Sequence, residues 1–322
     1  MNDTSMNFTS FTRSILKDLQ RKLGDNYSVF SHNVKKNNGI ELTGIVAKRK
    51  GCNTSPTFYI NDLYKPDLTL AETGKIADML YDYFQAAEFD DDLDISGFVE
   101  FDKAKENLSF KLVHADKNKE LLKLIPHKVF HNLAIVFYYT VQEAPFYGKG
   151  AILVYNTHMK QWETDLDTLY QTAFKNAPIL FPNIIENMQD VMRSILMEGL
   201  EEELIQEEGV EAELLKEVWE QEVGETKMPM YVLTNKQKLY GAACMLYPGV
   251  LKGFAEKIGR DFYILPSSVH EVILVPADSN TDQEALCEIV TEINRTQVAE
   301  EEILADSVYF YNKKLDKVLW IS

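Results

Sequence analysis

Ser267, Ser268, His270 and Glu271 stand within five residues of one another, directly after Pro266. A serine nucleophile needs a base within hydrogen-bond reach and an acid to orient it, and this segment carries all three residue types. The chemistry they would perform is hydrolysis or group transfer. Two features count against it: neighbouring residues on a strand face opposite ways, which separates His270 from Glu271, and no Gly-x-Ser-x-Gly elbow exposes a serine. The alternative is a capped turn leading into a core strand, with His270 bonded to backbone.

His127 and His131 are four residues apart, which places both on one face of a helix or of a strand. Zinc requires a third ligand, and Lys128 stands where the helical zinc-protease pattern has Glu. They are therefore read as polar edge residues of a core element, and neither a metal nor a cofactor is expected. Lys36, Asn61 and Asn235, with Lys35, Asn37 and Asn38, sit at expected turns or strand ends and form a candidate ligand-binding set. Turn chemistry alone accounts for Asn37 and Asn38. Asp90, Asp91, Asp92 and Asp94 lack the Gly and terminal Glu of a calcium loop, so a solvated acidic turn is expected. No phosphate loop, dinucleotide fingerprint or kinase motif is present in the sequence.

The elements that must position these residues follow from periodicity. Phe8, Phe11, Ile15, Leu16, Leu19 and Leu23 predict an amphipathic helix stopped at Gly24. Tyr27–Val34 and Ile40–Ala47 read as strands joined at Asn37-Asn38-Gly39, because an Asn-Gly pair accepts the positive φ of a tight turn. Thr57–Ile60 predicts a strand, Leu70–Ala87 a helix and Leu108–His114 a strand. Lys128–Val141 is apolar on both faces and can be strand or helix. Ala151–Tyr155 reads as a strand, Asp165–Lys175 as a helix, and Pro178–Pro182 as a rigid connector. A long helix is expected from Ile184 to about Val223, and Glu198–Glu225 holds twelve Glu against one Lys. Like charges at this density repel, which suits a solvated arm or a docking surface for a basic partner. Beyond it, strands at Met230–Thr234, Phe262–Leu265 and Val269–Val275, helices around Val250–Ile258 and Asp282–Gln297, and a closing hairpin of Ser307–Tyr311 with Val318–Ile321 are expected.

These elements predict an α+β protein of mixed or antiparallel sheets with packed helices, in two lobes, residues 1–183 and 228–322, joined by a Glu-rich helical segment over 184–227. The chain's 322 residues and its 45% hydrophobic content suffice for a large core. Its 50 acidic against 33 basic residues, a formal charge of −17, repel phosphate backbones and anionic lipid. Direct nucleic-acid and membrane binding are thus not expected, whereas a basic protein partner, or mimicry of DNA on one face, is compatible with the charge. Cys52, Cys244 and Cys287 are too widely spaced for a metal knuckle, and reduced thiols, two of them in the core, are expected. Met1–Phe11 lacks a basic segment followed by an apolar one, and no apolar run reaches the 18 residues of a membrane span. A cytoplasmic location is the resulting expectation.

Tyr231-Val-Leu-Thr-Asn235, Tyr240-Gly-Ala and Asp261-Phe-Tyr-Ile-Leu-Pro-Ser-Ser-Val-His-Glu-Val-Ile-Leu-Val-Pro276, the last containing a Leu-Pro-Ser-Ser-x-His-Glu signature, form a distinctive set. Together they resemble a domain family of unknown function from gut Firmicutes. Lys35–Thr43, Ser55–Asn61 and Pro126–Tyr139 are similar to the same family. The resemblance spans nearly the whole chain apart from Glu198–Glu225. It implies one shared architecture, a bacterial cytoplasmic setting and a link to mobile elements, and it brings no activity. The sequence therefore supports a non-enzymatic interaction or regulatory protein first, a hydrolase or transferase using His270 with Ser267 or Ser268 second, and an acidic DNA mimic third. The oligomeric state is left open.

Overall fold

The computed structural model describes residues 6–52, 55–86, 96–141, 150–204, 229–266, 268–278 and 281–321. The expected acidic turn at 90–94 and the Glu-rich stretch from 205 onward lie outside them, as does Ser267. The described residues form an α+β fold with antiparallel sheets. They gather into two compact units, one drawn from 1–103 and 140–152, the other from 104–139 and 153–322. In this division residues 104–139 and 153–183 group with the C-terminal part.

In the first unit, helix α1 (Phe8–Leu23) buries Phe11, Ile15, Leu19 and Leu23, one stripe repeating every four residues. Asn7 accepts the Ser10 N–H at 2.9 Å and so caps a helix end whose first amides have no partner inside the helix. Strands β1 (Tyr27–Lys35) and β2 (Glu41–Arg49) pair antiparallel from Tyr27↔Arg49 to Lys35↔Glu41. The turn between them lies at Asn37–Gly39, with Asn38 at φ 61° and Gly39 at φ 73°, the left-handed backbone that the Asn-Gly pair predicted. Strand β3 (Thr57–Tyr59) adds to β2. Helix α2 (Leu70–Ala86) opens with a reciprocal cap: Thr69 donates its N–H to Glu72 Oε2 at 2.9 Å, and the Glu72 N–H returns to Thr69 Oγ1. Leu80 and Phe84 then join the α1 stripe and Ile45 in one core.

The second unit begins with β4 (Leu108–His114), β5 (His127–Phe130) and β6 (Leu133–Val141), in the order β4-β6-β5. The ambiguous 128–141 segment is thus a hairpin turning at His131-Asn132, and every residue of β6 is buried. Strand β7 (Gly150–Leu153) counts with the first unit up to Ile152. Helix α3 (Leu166–Leu180) buries Leu169, Ala173 and Ala177 and stacks Phe174 on Phe110 of β4 at 4.0 Å. Pro178 lies inside this helix, contrary to the expected connector. It sits in the last turn, where losing one amide donor costs the ladder a single bond.

The expected helix from Ile184 starts later. Residues Asn183–Asn187 form strand β8, and only then does helix α4 (Met188–Leu204) begin. Ile184 and Ile185 pair with Thr234 and Leu233 of β9 (Tyr231–Asn235), so tertiary pairing overrides a helical pattern. The remaining elements are helix α5 (Val250–Ile258), strands β10 (Phe262–Leu265) and β11 (Val272–Pro276), helix α6 (Gln283–Gln297), and the hairpin β12 (Val308–Asn312) with β13 (Lys317–Ile321). The sheet order is β13-β12-β10-β11-β9-β8, antiparallel throughout. Side chains alternate along β10: Phe262 meets Phe254 of α5 at 5.0 Å, whereas Tyr263 joins Leu286 and Val290 of α6. The two helices therefore cover opposite faces. Of the three free cysteines only Cys244 is fully buried, so the core holds one thiol where two were expected, with Cys287 half-buried beside the α6 cluster.

Candidate functional site

The best-defined polar cluster in the second unit forms where the segment before β11 meets the loop after β9. Ser268 is buried and makes an isolated bridge to Ile303. Its hydroxyl accepts the His270 backbone N–H at 3.0 Å, and the His270 carbonyl accepts the Thr234 hydroxyl at 2.7 Å. The His270 backbone is thus held from both sides. Its ring stacks on Tyr240, with centroids 5.7 Å apart and planes 16° from parallel. Nδ1 lies 3.2 Å from the Tyr240 N–H nitrogen and 3.2 Å from the Lys238 carbonyl, and Nε2 lies 3.6 Å from Glu302 Oε1.

Asn235 shapes the loop beneath this ring. Its buried side chain donates to the Leu239 carbonyl at 2.7 Å and accepts the N–H groups of Gln237 and Leu239 at 3.0 and 3.3 Å. Those bonds hold Lys238 and Tyr240 at φ 52° and 54°, a left-handed backbone costing roughly 1–2 kcal/mol per residue outside glycine. Gly241 follows because nothing larger fits. A Cβ there would lie 2.1 Å from Thr234 Oγ1 and 2.4 Å from the His270 carbonyl. Lys111 places its ammonium 4.1 Å from the centre of the Tyr240 ring, and Tyr138 meets that ring edge-on at 5.3 Å.

Charge and burial decide what these groups can do. Burial raises the Glu271 carboxyl above its ordinary range; His270 and Lys238 pull it down while Glu302 pushes it up. Burial also pushes the Cys244 thiol up to about 12, so the thiol stays protonated at neutral pH and is no nucleophile. The Tyr138 phenol is raised by burial as well. The Ser268 hydroxyl accepts the His270 backbone amide, and among the described residues the ring nitrogens of His270 meet the Tyr240 amide, the Lys238 carbonyl and Glu302, not a hydroxyl. Ser268, His270, Glu271 and Asn235 do come together as a polar junction, with Asn235 as its scaffold.

The other sequence candidates are placed elsewhere. Lys36 and Asn61 lie in the first unit. Lys36 rests its ammonium 4.2 Å from the centre of the Tyr59 ring, and Asn61 Oδ1 accepts the Thr43 N–H at 2.7 Å, tying a turn to β2. An open groove of about 440 Å³ runs in this unit past Asp62, Lys65, Asp67 and Glu72, whose carboxylate is already engaged by Thr69. His127 stands at the start of β5 with Nδ1 3.1 Å from the Ile125 carbonyl. His131 leaves the strand at φ 55° and sets Nε2 3.2 Å from the Val318 carbonyl. The histidines share neither a face nor a role, and among the described residues no group of three potential ligands could hold a metal ion.

Sequence reasoning missed Glu302, Lys238, Tyr240 and Thr234 as parts of the cluster. Thr234 and Tyr240 stand in the family-like segments Tyr231-Val-Leu-Thr-Asn235 and Tyr240-Gly-Ala, which carry no sign of a site, and nothing local distinguishes Glu302 from Glu300 and Glu301. It also gave no account of an apolar surface on α4, where Met192 and Ile195, one helical turn apart, are 41% and 60% exposed. Among the described residues no helix is long and apolar enough to cross a membrane.

No curated protein and no solved structure matches this chain. A family model matches residues 8–313, which takes in both units, the polar junction and α4, and the chain therefore belongs to DUF5688, a family of unknown function.

Proposed function

We propose that the protein is a non-enzymatic interaction protein that binds a basic, amphipathic segment of a cytoplasmic bacterial protein at α4. The observation that carries this reading is the exposure of Met192 and Ile195 on one face of that helix. Large apolar side chains left in water one turn apart offer an apolar stripe on which the apolar face of a partner helix can pack. The end of α4 and the chain after it supply twelve Glu and one Lys between Glu198 and Glu225, a charge complementary to Lys and Arg. The polar junction supports the same reading, because Ser268 serves the His270 backbone, His270 Nδ1 meets backbone partners, and the buried Cys244 thiol stays protonated. Chemistry at His270 with Ser267 or Ser268 has less support, and DNA mimicry has none beyond net charge.

The test is fluorescence anisotropy with a labelled amphipathic Leu/Lys helical peptide and a scrambled peptide of equal charge. The expected result is tighter binding of the amphipathic peptide and at least a tenfold loss with Met192→Asp/Ile195→Asp. A weaker salt dependence is expected when Glu201, Glu202, Glu203, Glu207, Glu208, Glu211 and Glu213 are changed to Gln. Equal affinity for both peptides, or no effect of the α4 changes, would reject the α4 site.

A further inference from the structure

The His270 ring presents one nitrogen to two incompatible partners. Nδ1 is 3.2 Å from the backbone nitrogen of Tyr240, which can only donate, and 3.2 Å from the backbone oxygen of Lys238, which can only accept. A neutral ring carrying its proton on Nε2 accepts the Tyr240 N–H and turns Nε2–H toward Glu302. A doubly protonated ring must instead donate from Nδ1 to the Lys238 carbonyl, and the Tyr240 amide then loses its acceptor.

We propose that His270 is a proton-operated catch on the loop at 238–240, holding it through the Tyr240 amide when neutral and through the Lys238 carbonyl when charged. The change falls on the loop because the His270 backbone is fixed by Ser268 on one side and Thr234 on the other. Its two gripping points flank Leu239, and both Lys238 and Tyr240 occupy left-handed backbone, so exchanging one bond for the other alters a segment already under strain. What the loop presents is the Tyr240 ring, stacked on His270 and bearing the Lys111 ammonium. Protonation therefore puts a second cation against the ring that already bears the Lys111 ammonium. Charged groups of both signs surround the junction: Glu302 lies 3.6 Å from Nε2, Glu271 interacts with both His270 and Lys238, and Lys111 sits over the Tyr240 ring. The catch is independent of the α4 surface and stands whether or not that surface binds a partner.

The experiment is an NMR titration of the full chain labelled with ¹⁵N-histidine and ¹⁵N-tyrosine, from about pH 8.5 to about pH 5, the range in which imidazole changes charge. Tyr240→Phe assigns the Tyr240 amide. The expected result is a bare Nδ1 on His270 at high pH, and an upfield shift of the Tyr240 amide proton on acidification with the same midpoint as the ring. In Glu302→Gln both midpoints move down together, and in His270→Asn the Tyr240 titration disappears. A proton on Nδ1 at high pH overturns the proposal. So does a Tyr240 amide that stays still while the ring titrates, that fails to follow the ring in Glu302→Gln, or that still titrates in His270→Asn. Should His270→Asn not fold, the wild-type and Glu302→Gln titrations decide the matter.

Discussion

Gly241→Ala is the sharpest test of the packing beneath His270. Gly241 has no positive φ, so alanine can adopt its backbone, and the whole cost is contact. The new Cβ would lie 2.1 Å from Thr234 Oγ1, 2.4 Å from the His270 oxygen and 2.8 Å from the Asn235 nitrogen, where ordinary contacts are 3.4–4 Å. Thr234 can rotate its hydroxyl away, giving up its 2.7 Å bond to His270 at roughly 0.5–1.5 kcal/mol. The other two atoms are backbone and can retreat only by parting β9 from the segment at 270, an overpacking cost of about 1–3 kcal/mol. The expected destabilisation is therefore roughly 2–4 kcal/mol, read from urea unfolding followed by circular dichroism. Thr234→Ala combined with Gly241→Ala should recover little, because the backbone clashes persist. Gly253→Ala on α5 is the internal control: nothing lies within 4 Å of its Cβ, and helix propensity predicts a gain of up to about 1 kcal/mol. A Gly241→Ala loss under about 1 kcal/mol would refute the reasoning, since a steric overlap of this size in a packed core cannot be that cheap.

Asn235→Ala removes three hydrogen bonds and the support for two left-handed residues, and should cost roughly 2–4 kcal/mol in the same unfolding assay. Glu271→Gln should make the protein more stable at neutral pH. The Glu271 carboxyl is raised in the fold, so between its unfolded and folded values the unfolded state loses the proton first and the native state becomes less stable as pH rises. The variant's advantage should grow across that window and level off above it, as stability measured against pH will reveal. Ile15→Ala opens a cavity at a fully buried position in the α1 core and should cost about 2–5 kcal/mol.

The sequence by itself determined elements whose cause is local. The four-residue spacing of Phe11, Ile15, Leu19 and Leu23 has only one helical face to bury, and Asn38-Gly39 tolerates a backbone that most residues avoid; both features stand as read. The α+β class followed from the same periodicities. Tertiary structure decided the features that depend on a distant partner. Residues 128–141 are apolar on both faces, so their pattern is silent on conformation until β4 and β5 flank β6. Ile184 and Ile185 continue a helical pattern but pair with β9, because an open strand edge offers more than one further helical turn. The polar junction shows both limits. Ser268, His270 and Glu271 were legible as a cluster because they are adjacent in the chain. Their roles were not, since those depend on Thr234, Tyr240 and Glu302, brought in from 30 or more residues away by strand pairing and a left-handed loop. Residue types announce what chemistry is available, and only the directions of their hydrogen bonds determine whether a serine and a histidine face each other or the backbone.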